Sequence, residues 1–328
     1  MKLIKLVNCF ILLFILVSCV SEDYDDKPVI VSIIKEENTK KFNAIEKGLI
    51  DQISLDKLNV KINFYTSNGD DASIIEIANN VREDNSSIAV VIGENAVLLS
   101  MNIIVPQSIL FAGCFDNLSL SSIEKSRVQN NNITGVYGNL DITKYLKRIS
   151  ESDVNSLGYL YSKNFEVSDN ISEYLAKYCS NENIHYYPIA LEADYTINDI
   201  ENIISSLDID YLFIAKDDYI DDNIYNIDNL CGKYFIPIIN TDIENALNTD
   251  ILFSLDCNYY YLGRKLAELL KEVIDNEGST DSIDFIEVSD SYRILINKDT
   301  AKLYRINFTD KILDDSYFIV EDKNVIRK

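Results

Sequence analysis

The 328-residue chain is predicted to form an α/β fold of two consecutive units, each a parallel sheet with helices on both faces. Three observations carry this. Short β-rich apolar runs alternate with stretches of helical period. The second half repeats the alternation of the first. Hydrophobic residues make up 47% of the chain, enough for real cores, over a length that fits more than one domain-sized unit.

Taken in order, Val29–Ile34 is a near-continuous apolar run, as a strand buried on both faces requires. Residues 39–52 read as a helix, and Val60–Tyr65 as the second strand. Ala72–Val81 places Ile74, Ile77, Ala78 and Val81 at helical spacing. Ile88–Ile92, Ser108–Ala112 and Ile133–Tyr137 are further strands, and the Asn-rich segment Gln129–Asn132 is a loop before the last of them. In the second half, Leu157–Tyr161, Ile184–Ile189, Tyr211–Ile214, Ile236–Ile239 and Ile251–Leu255 are strands. Helices are expected near 141–150, 168–180, 196–206 and 218–230. Tyr259–Ile274 is the clearest helix, with Leu262, Leu266, Leu269, Leu270 and Val273 on one face.

The N-terminus reads as an address. Lys2 and Lys5 precede an apolar run from Leu6 to Val17, too short for a membrane span but with the flanks of a secretory signal. The run ends in Leu16-Val17-Ser18-Cys19, which resembles a bacterial lipoprotein lipobox and implies Cys19 as the lipidation site. Acyl chains on that sulfur would hold a soluble domain at a membrane. An uncleaved anchor or a plain signal peptide is the alternative. An acidic tether, Ser21 to Asp26, follows.

Composition excludes several classes. Acids outnumber bases 53 to 30, a formal charge of −23, which opposes nucleic-acid binding. A single histidine, His185, removes a His-pair metal site. There is no P-loop, GxSxG or HExxH motif, and only 10 glycines. Acid pairs such as Asp70-Asp71, Asp217-Asp218 and Asp221-Asp222 fit solvated loop ends and helix caps better than a metal site, and the EF-hand spacing is not met. No catalytic residue, metal or cofactor is expected. Beyond Cys9 and Cys19, four cysteines remain without CxxC spacing: Cys114, Cys179, Cys231 and Cys257. They allow three pairings or four free thiols. Cys114 and Cys257 lie in apolar segments, as buried free thiols do, so free thiols are the expectation.

In open α/β sheets, ligands bind beyond the carboxyl ends of the strands. The segments there are Gly93-Glu94-Asn95, Gly113 to Asn117, Ser162-Lys163-Asn164, Ala215 to Tyr219, Asn240-Thr241-Asp242 and Asp256-Cys257-Asn258. They are polar enough to line a small-molecule cleft, and equally polar as ordinary βα loops.

These residues also resemble a known family, the lipoprotein-type substrate-binding proteins of ABC importers, in the branch that includes aromatic-amino-acid binders. The likeness runs from about Val29 to about Phe308. It is carried in order by Gly69-Asp70-Asp71-Ala72, Asn132-Ile133-Thr134-Gly135-Val136, Ile236-Pro237-Ile238 with Thr241-Asp242, Tyr259-Tyr260-Tyr261-Leu262-Gly263-Arg264 and Ile296-Asn297-Lys298-Asp299-Thr300-Ala301. The resemblance implies a type I periplasmic binding protein: two Rossmann-like lobes with parallel sheets, three crossovers and an interlobe cleft. It implies a signal peptide over 1–18, a tether over 19–27, a first lobe over 28–138 completed by about 256–288, and a second over 139–255 completed by about 289–328.

By the same resemblance, Asp116, Asp217 and Asp242 match ligand-contacting aspartates, and Tyr161 matches a tyrosine before a second-lobe loop. Asn95 and Asn258 stand at matching strand mouths, and Tyr137 offers a ring face. Asn38-Thr39-Lys40-Lys41 departs from a usual His-Pro pair, Glu94-Asn95 from Thr-Pro, and Asn258 from an Asp. The implied protein is a lipid-anchored binder in the bacterial cell envelope, facing the periplasm or exterior. Its ABC permease and ATPase are separate chains. The ligand is expected to carry a cation, an amino acid above all, because Glu94, Asp116, Asp217 and Asp242 face only Lys163 and Lys216. A surface lipoprotein of the same fold, acting as a sensor or partner-binding module without transport, is the alternative.

Overall fold

A computed structural model describes residues 27–84, 86–114, 117–138, 141–149, 154–163, 166–192, 194–215, 218–288 and 292–328. Cys19, Asp116 and Asp217 lie outside these residues.

The first sheet is built from β1 (Val29–Lys35), β2 (Val60–Thr66), β3 (Ile88–Ile92), β4 (Ser108–Cys114), β5 (Ile133–Gly138) and the late, short β11 (Ile286–Glu287), in the order β11-β5-β4-β3-β1-β2. All its pairs are parallel. α1 (Lys40–Leu55) packs one face, and α2 (Asp71–Glu83), α3 (Glu94–Ser100) and α4 (Asn117–Asn130) the other. The helices begin where the sequence offers caps. The Ser73 amide donates to Asp70 Oδ1 at 2.9 Å at the start of α2.

The second sheet contains β6 (Ser156–Ser162), β7 (His185–Leu191), β8 (Tyr211–Ile214), β9 (Ile238–Asn240) and β10 (Phe253–Cys257), then β12 (Tyr292–Asn297), β13 (Phe318–Glu321) and β14 (Asn324–Arg327). Its order is β14-β13-β12-β10-β9-β8-β6-β7. α5 (Thr143–Ile149), α6 (Glu166–Glu182), α11 (Lys298–Tyr304) and α12 (Asp310–Asp315) pack one face. α7 (Ile197–Ile204), α8 (Asp218–Lys233) and α9 (Ile243–Leu247) pack the other. This sheet is not wholly parallel: β12 runs antiparallel to β10, and β14 to β13.

After β10 the chain returns to the first sheet, where α10 (Tyr259–Asp275) lies against α1. The two helices meet backbone to backbone. A Cβ at Gly48 would overlap the Tyr260 carbonyl, and one at Gly263 the Ile45 carbonyl. β11 then completes the first sheet, and β12 to β14 the second.

One expectation is corrected here. Cys179 and Cys231 are free buried thiols, but Cys257, at the end of β10, is disulfide-bonded. An apolar setting does not distinguish a buried thiol from a buried disulfide, so the segment's hydrophobicity could not decide the question.

Candidate functional site

The carboxyl ends of β1, β9 and β10 converge on one region between the sheets. Each contributes charge. β1 runs into Glu36 and α1, which carries Lys40 and Lys41 in its first turn. β9 ends at Asn240, and Asp242 caps α9. β10 carries Asp256 one residue before its end, and Tyr259 opens α10.

Lys41 reaches across from the first-sheet side and donates to Asp242 Oδ2 at 2.9 Å. Both side chains are largely enclosed, 18% and 10% exposed. The other oxygen of Asp242 accepts the amides of Glu244 at 2.9 Å and Asn245 at 3.2 Å. One carboxylate thus caps a helix on its own sheet and pairs a cation from the other. A second, exposed bridge runs alongside, Lys40 to Glu244 at 3.1 Å.

Asp256 sits deeper. Antiparallel register places it opposite Arg293, whose guanidinium donates to Oδ2 at 3.1 Å, while Oδ1 accepts the Cys257 amide at 2.7 Å. Burial pushes the Asp256 carboxyl up and the nearby Asp242 charge adds to this; Lys41 and Arg293 oppose it. Burial, reinforced by the Asp256 and Asp242 charges, raises the Tyr259 hydroxyl well above the ordinary tyrosine range. The Lys41 ammonium lies 5.7 Å from the centroid of the Tyr259 ring. The result is an alternating cluster of two cations, two carboxylates and a phenol, drawn from both sheets.

A further carboxylate occupies the mouth of β3. Glu36 Oε2 accepts the Ala96 amide at 3.0 Å, in the first turn of α3. Gly93 makes room: its φ of +114° suits glycine, and a Cβ there would overlap the Glu36 side chain.

The sequence-predicted residues are distributed as follows. Asp242 is in the cluster. Asn258 adjoins it and caps α10, accepting the Tyr261 amide at 3.2 Å. Asn95 donates to Asp71 at 2.9 Å, tying the start of α3 to that of α2. Tyr161 is buried, its ring stacked on Tyr159 with centroids 4.7 Å apart. Tyr137 is half-buried on β5; burial raises its hydroxyl's pKa, and the Glu287 and Glu124 charges add to the effect. Lys163, one expected counter-ion, pairs with Glu192 instead. Sequence reasoning missed Lys41, Asp256, Arg293 and Tyr259 as a set. Lys41 was visible only as part of a departure from the family pattern, and Asp256 only as a strand-end acid. Among the described residues no cluster of His, Cys, Asp and Glu could hold a metal ion, and no helix is long and apolar enough to cross a membrane.

Two mainly parallel sheets with charged groups converging between their strand ends define a type I periplasmic-binding-protein fold. The family model "ABC transporter substrate binding protein" matches residues 28–318, and the chain belongs to that family, a family of binding proteins and not of enzymes. A ligand-free, open substrate-binding protein with adhesive properties from Clostridium difficile aligns at TM-score 0.73 and 18% identity, over 88% of this chain and 98% of its own. A Streptococcus pneumonia ABC domain in complex with L-Trp aligns at 0.68 and 16%, over 90% and 100%. A Vibrio cholerae conserved domain protein aligns at 0.67 and 16%, over 88% and 99%. At these identities the structures establish the fold. A comparison with curated protein sequences returns no match.

Proposed function

We propose that this solute-binding protein is anchored to the cell envelope through Cys19 and delivers an amino acid, favouring an aromatic one, to a separate ABC permease by lobe closure. The observation that carries the reading is the convergence of Lys41, Asp242, Asp256 and Tyr259 from both sheets at the strand mouths. A solute bound there touches both lobes at once, which is the condition for a solute to shift the open–closed equilibrium. In this reading the lobes are 28–138 with about 256–288, and 139–255 with about 289–328. The solute's ammonium pairs with Asp242. Asn95, Asp116, Asp217 and Asn258 supply polar contacts, and Tyr137 and Tyr161 ring faces. The L-Trp complex of the streptococcal relative supports trying aromatic amino acids first.

The test is calorimetry of the soluble chain against amino acids, sugars, nucleosides, phosphate and sulfate, with a Cys19→Ala form followed by cell fractionation. Amino-acid binding, lost in Asp242→Asn, is the expected result, together with release of Cys19→Ala from the membrane fraction. Tight phosphate or sulfate binding with no amino-acid response overturns the ligand assignment, and an acylated Cys19→Ala overturns the anchor.

A further inference from the structure

We propose that Lys41 is a built-in occupant of the Asp242 carboxylate: it bridges the lobes in the absence of solute and admits only solutes whose cation can displace it. The first half of this inference stands on geometry alone; the selectivity half rests on the amino-acid reading above.

Four observations combine. The Lys41–Asp242 pair joins α1, on the first sheet, to the cap of α9, on the second, at 2.9 Å. It is enclosed rather than splayed on the surface, so it is weakened far less by solvent than an exposed pair such as Lys40–Glu244. Asp242 is also fixed in place, because its Oδ1 is held by the Glu244 and Asn245 amides, leaving Oδ2 aimed at whatever cation approaches. Lys41 faces Asp242 directly, is close enough to Asp256 to feel its charge, and lies near the ring of Tyr259. It therefore sits in the environment a solute ammonium would need: a carboxylate, a second acid behind it and an aromatic ring.

The consequence is competition within one molecule. A neutral or anionic solute gains nothing from Asp242 while Lys41 holds it. A cationic solute exchanges one ammonium for another, and so binds with an apparent affinity reduced by the fraction of clefts that Lys41 already occupies. Removing Lys41 should relax the solute-free protein and tighten its grip on an amine.

The experiment uses solution X-ray scattering of the solute-free chain, with Lys41→Gln, Asp242→Asn and the double variant. Asparagine keeps the α9 cap while removing the charge, and glutamine keeps most of the lysine stem. Lys41→Arg serves as the charge-retaining control. Both single variants should show a larger radius of gyration than the parent, the double variant no further increase, and Lys41→Arg none. Unchanged scattering in Lys41→Gln overturns the proposal, whatever the protein binds. In parallel, L-tryptophan titrated into parent and Lys41→Gln should bind the variant about tenfold more tightly. If scattering responds but tryptophan binds neither protein, the bridge stands and the amino-acid reading fails. If tryptophan binds both equally, Lys41 is no competitor and the selectivity half is overturned.

Discussion

At the residue scale, Asp242 has two roles that a substitution can separate. Its Oδ1 closes the first turn of α9 and its Oδ2 meets Lys41. A carboxylate at a ligand-facing strand end is ordinarily expendable for stability, and from sequence alone Asp242 would be placed in that class. The structure assigns it a cap as well. Alanine removes both roles, whereas asparagine, as good a cap as aspartate, removes only the charge. Asp242→Ala is therefore predicted to be less stable than Asp242→Asn by about 1 kcal/mol, read from urea unfolding midpoints. Equal midpoints would show that the cap contributes nothing. Asp242 was legible because it follows a readable strand. Lys41 was legible only as a lysine in the wrong place, since its partner is 201 residues away in sequence. Asp256 and Arg293 were illegible as a pair, because the antiparallel register that opposes them is set by β12, which carries no simple alternation to announce it.

At the scale of elements, the readable segments were continuous apolar runs and stretches with a strong period. The buried parallel strands were legible for the first reason and the apolar face of α10 for the second, and α10 does bury Leu262, Leu266, Leu269, Leu270 and Val273. Segments such as α4, whose residues Asn117–Asn130 mix polar and apolar types without a clear stripe, and the β13–β14 hairpin were not. That hairpin is held partly by polar contacts that hydropathy cannot reveal: Asp299 accepts the amides of Asp322 and Lys323 at 3.0 and 2.8 Å. Between α1 and α10 the interface depends on what is missing. Gly48 and Gly263 let two backbones touch, and each methyl added there would enter a carbonyl of the facing helix. Neither carbonyl can rotate away as a side chain could. Gly48→Ala and Gly263→Ala are each predicted to lose about 3 kcal/mol or more, seen as a lowered thermal midpoint. Gly232, with open space around it, is the control: Gly232→Ala should lie close to the parent. A Gly263→Ala variant as stable as the parent would mean that the helices slide apart at little cost.

At the scale of the whole molecule, the two-sheet plan follows from the strand–helix grammar, while the mixed character of the second sheet does not, because antiparallel edge strands enter only after the chain has returned to it. Net charge acts at the same scale. With 53 acids against 30 bases, the molecule as a whole repels itself, and bringing two acidic lobes together adds to that repulsion. Among the described residues three interlobe bridges oppose it: Lys40–Glu244, with side chains 84% and 55% exposed, Lys144–Glu287 at 4.0 Å, likewise exposed, and the enclosed Lys41–Asp242. Salt discriminates between these forces. Raising ionic strength from about 0.01 M to about 0.15 M shortens the screening length from about 30 Å to about 8 Å. Long-range repulsion among surface carboxylates is largely removed over that interval, and so is most of what the exposed bridges contribute. The enclosed pair, at 2.9 Å and shielded from water, is barely affected. The thermal midpoint of the parent should therefore rise with salt, and its solute-free radius of gyration should stay constant or fall. In Lys41→Gln the enclosed pair no longer holds the lobes against the repulsion, so screening that repulsion should shrink its radius by more than the parent's. A parent that expands as salt is added would show that exposed, screenable bridges hold its lobes together and that the enclosed pair does not.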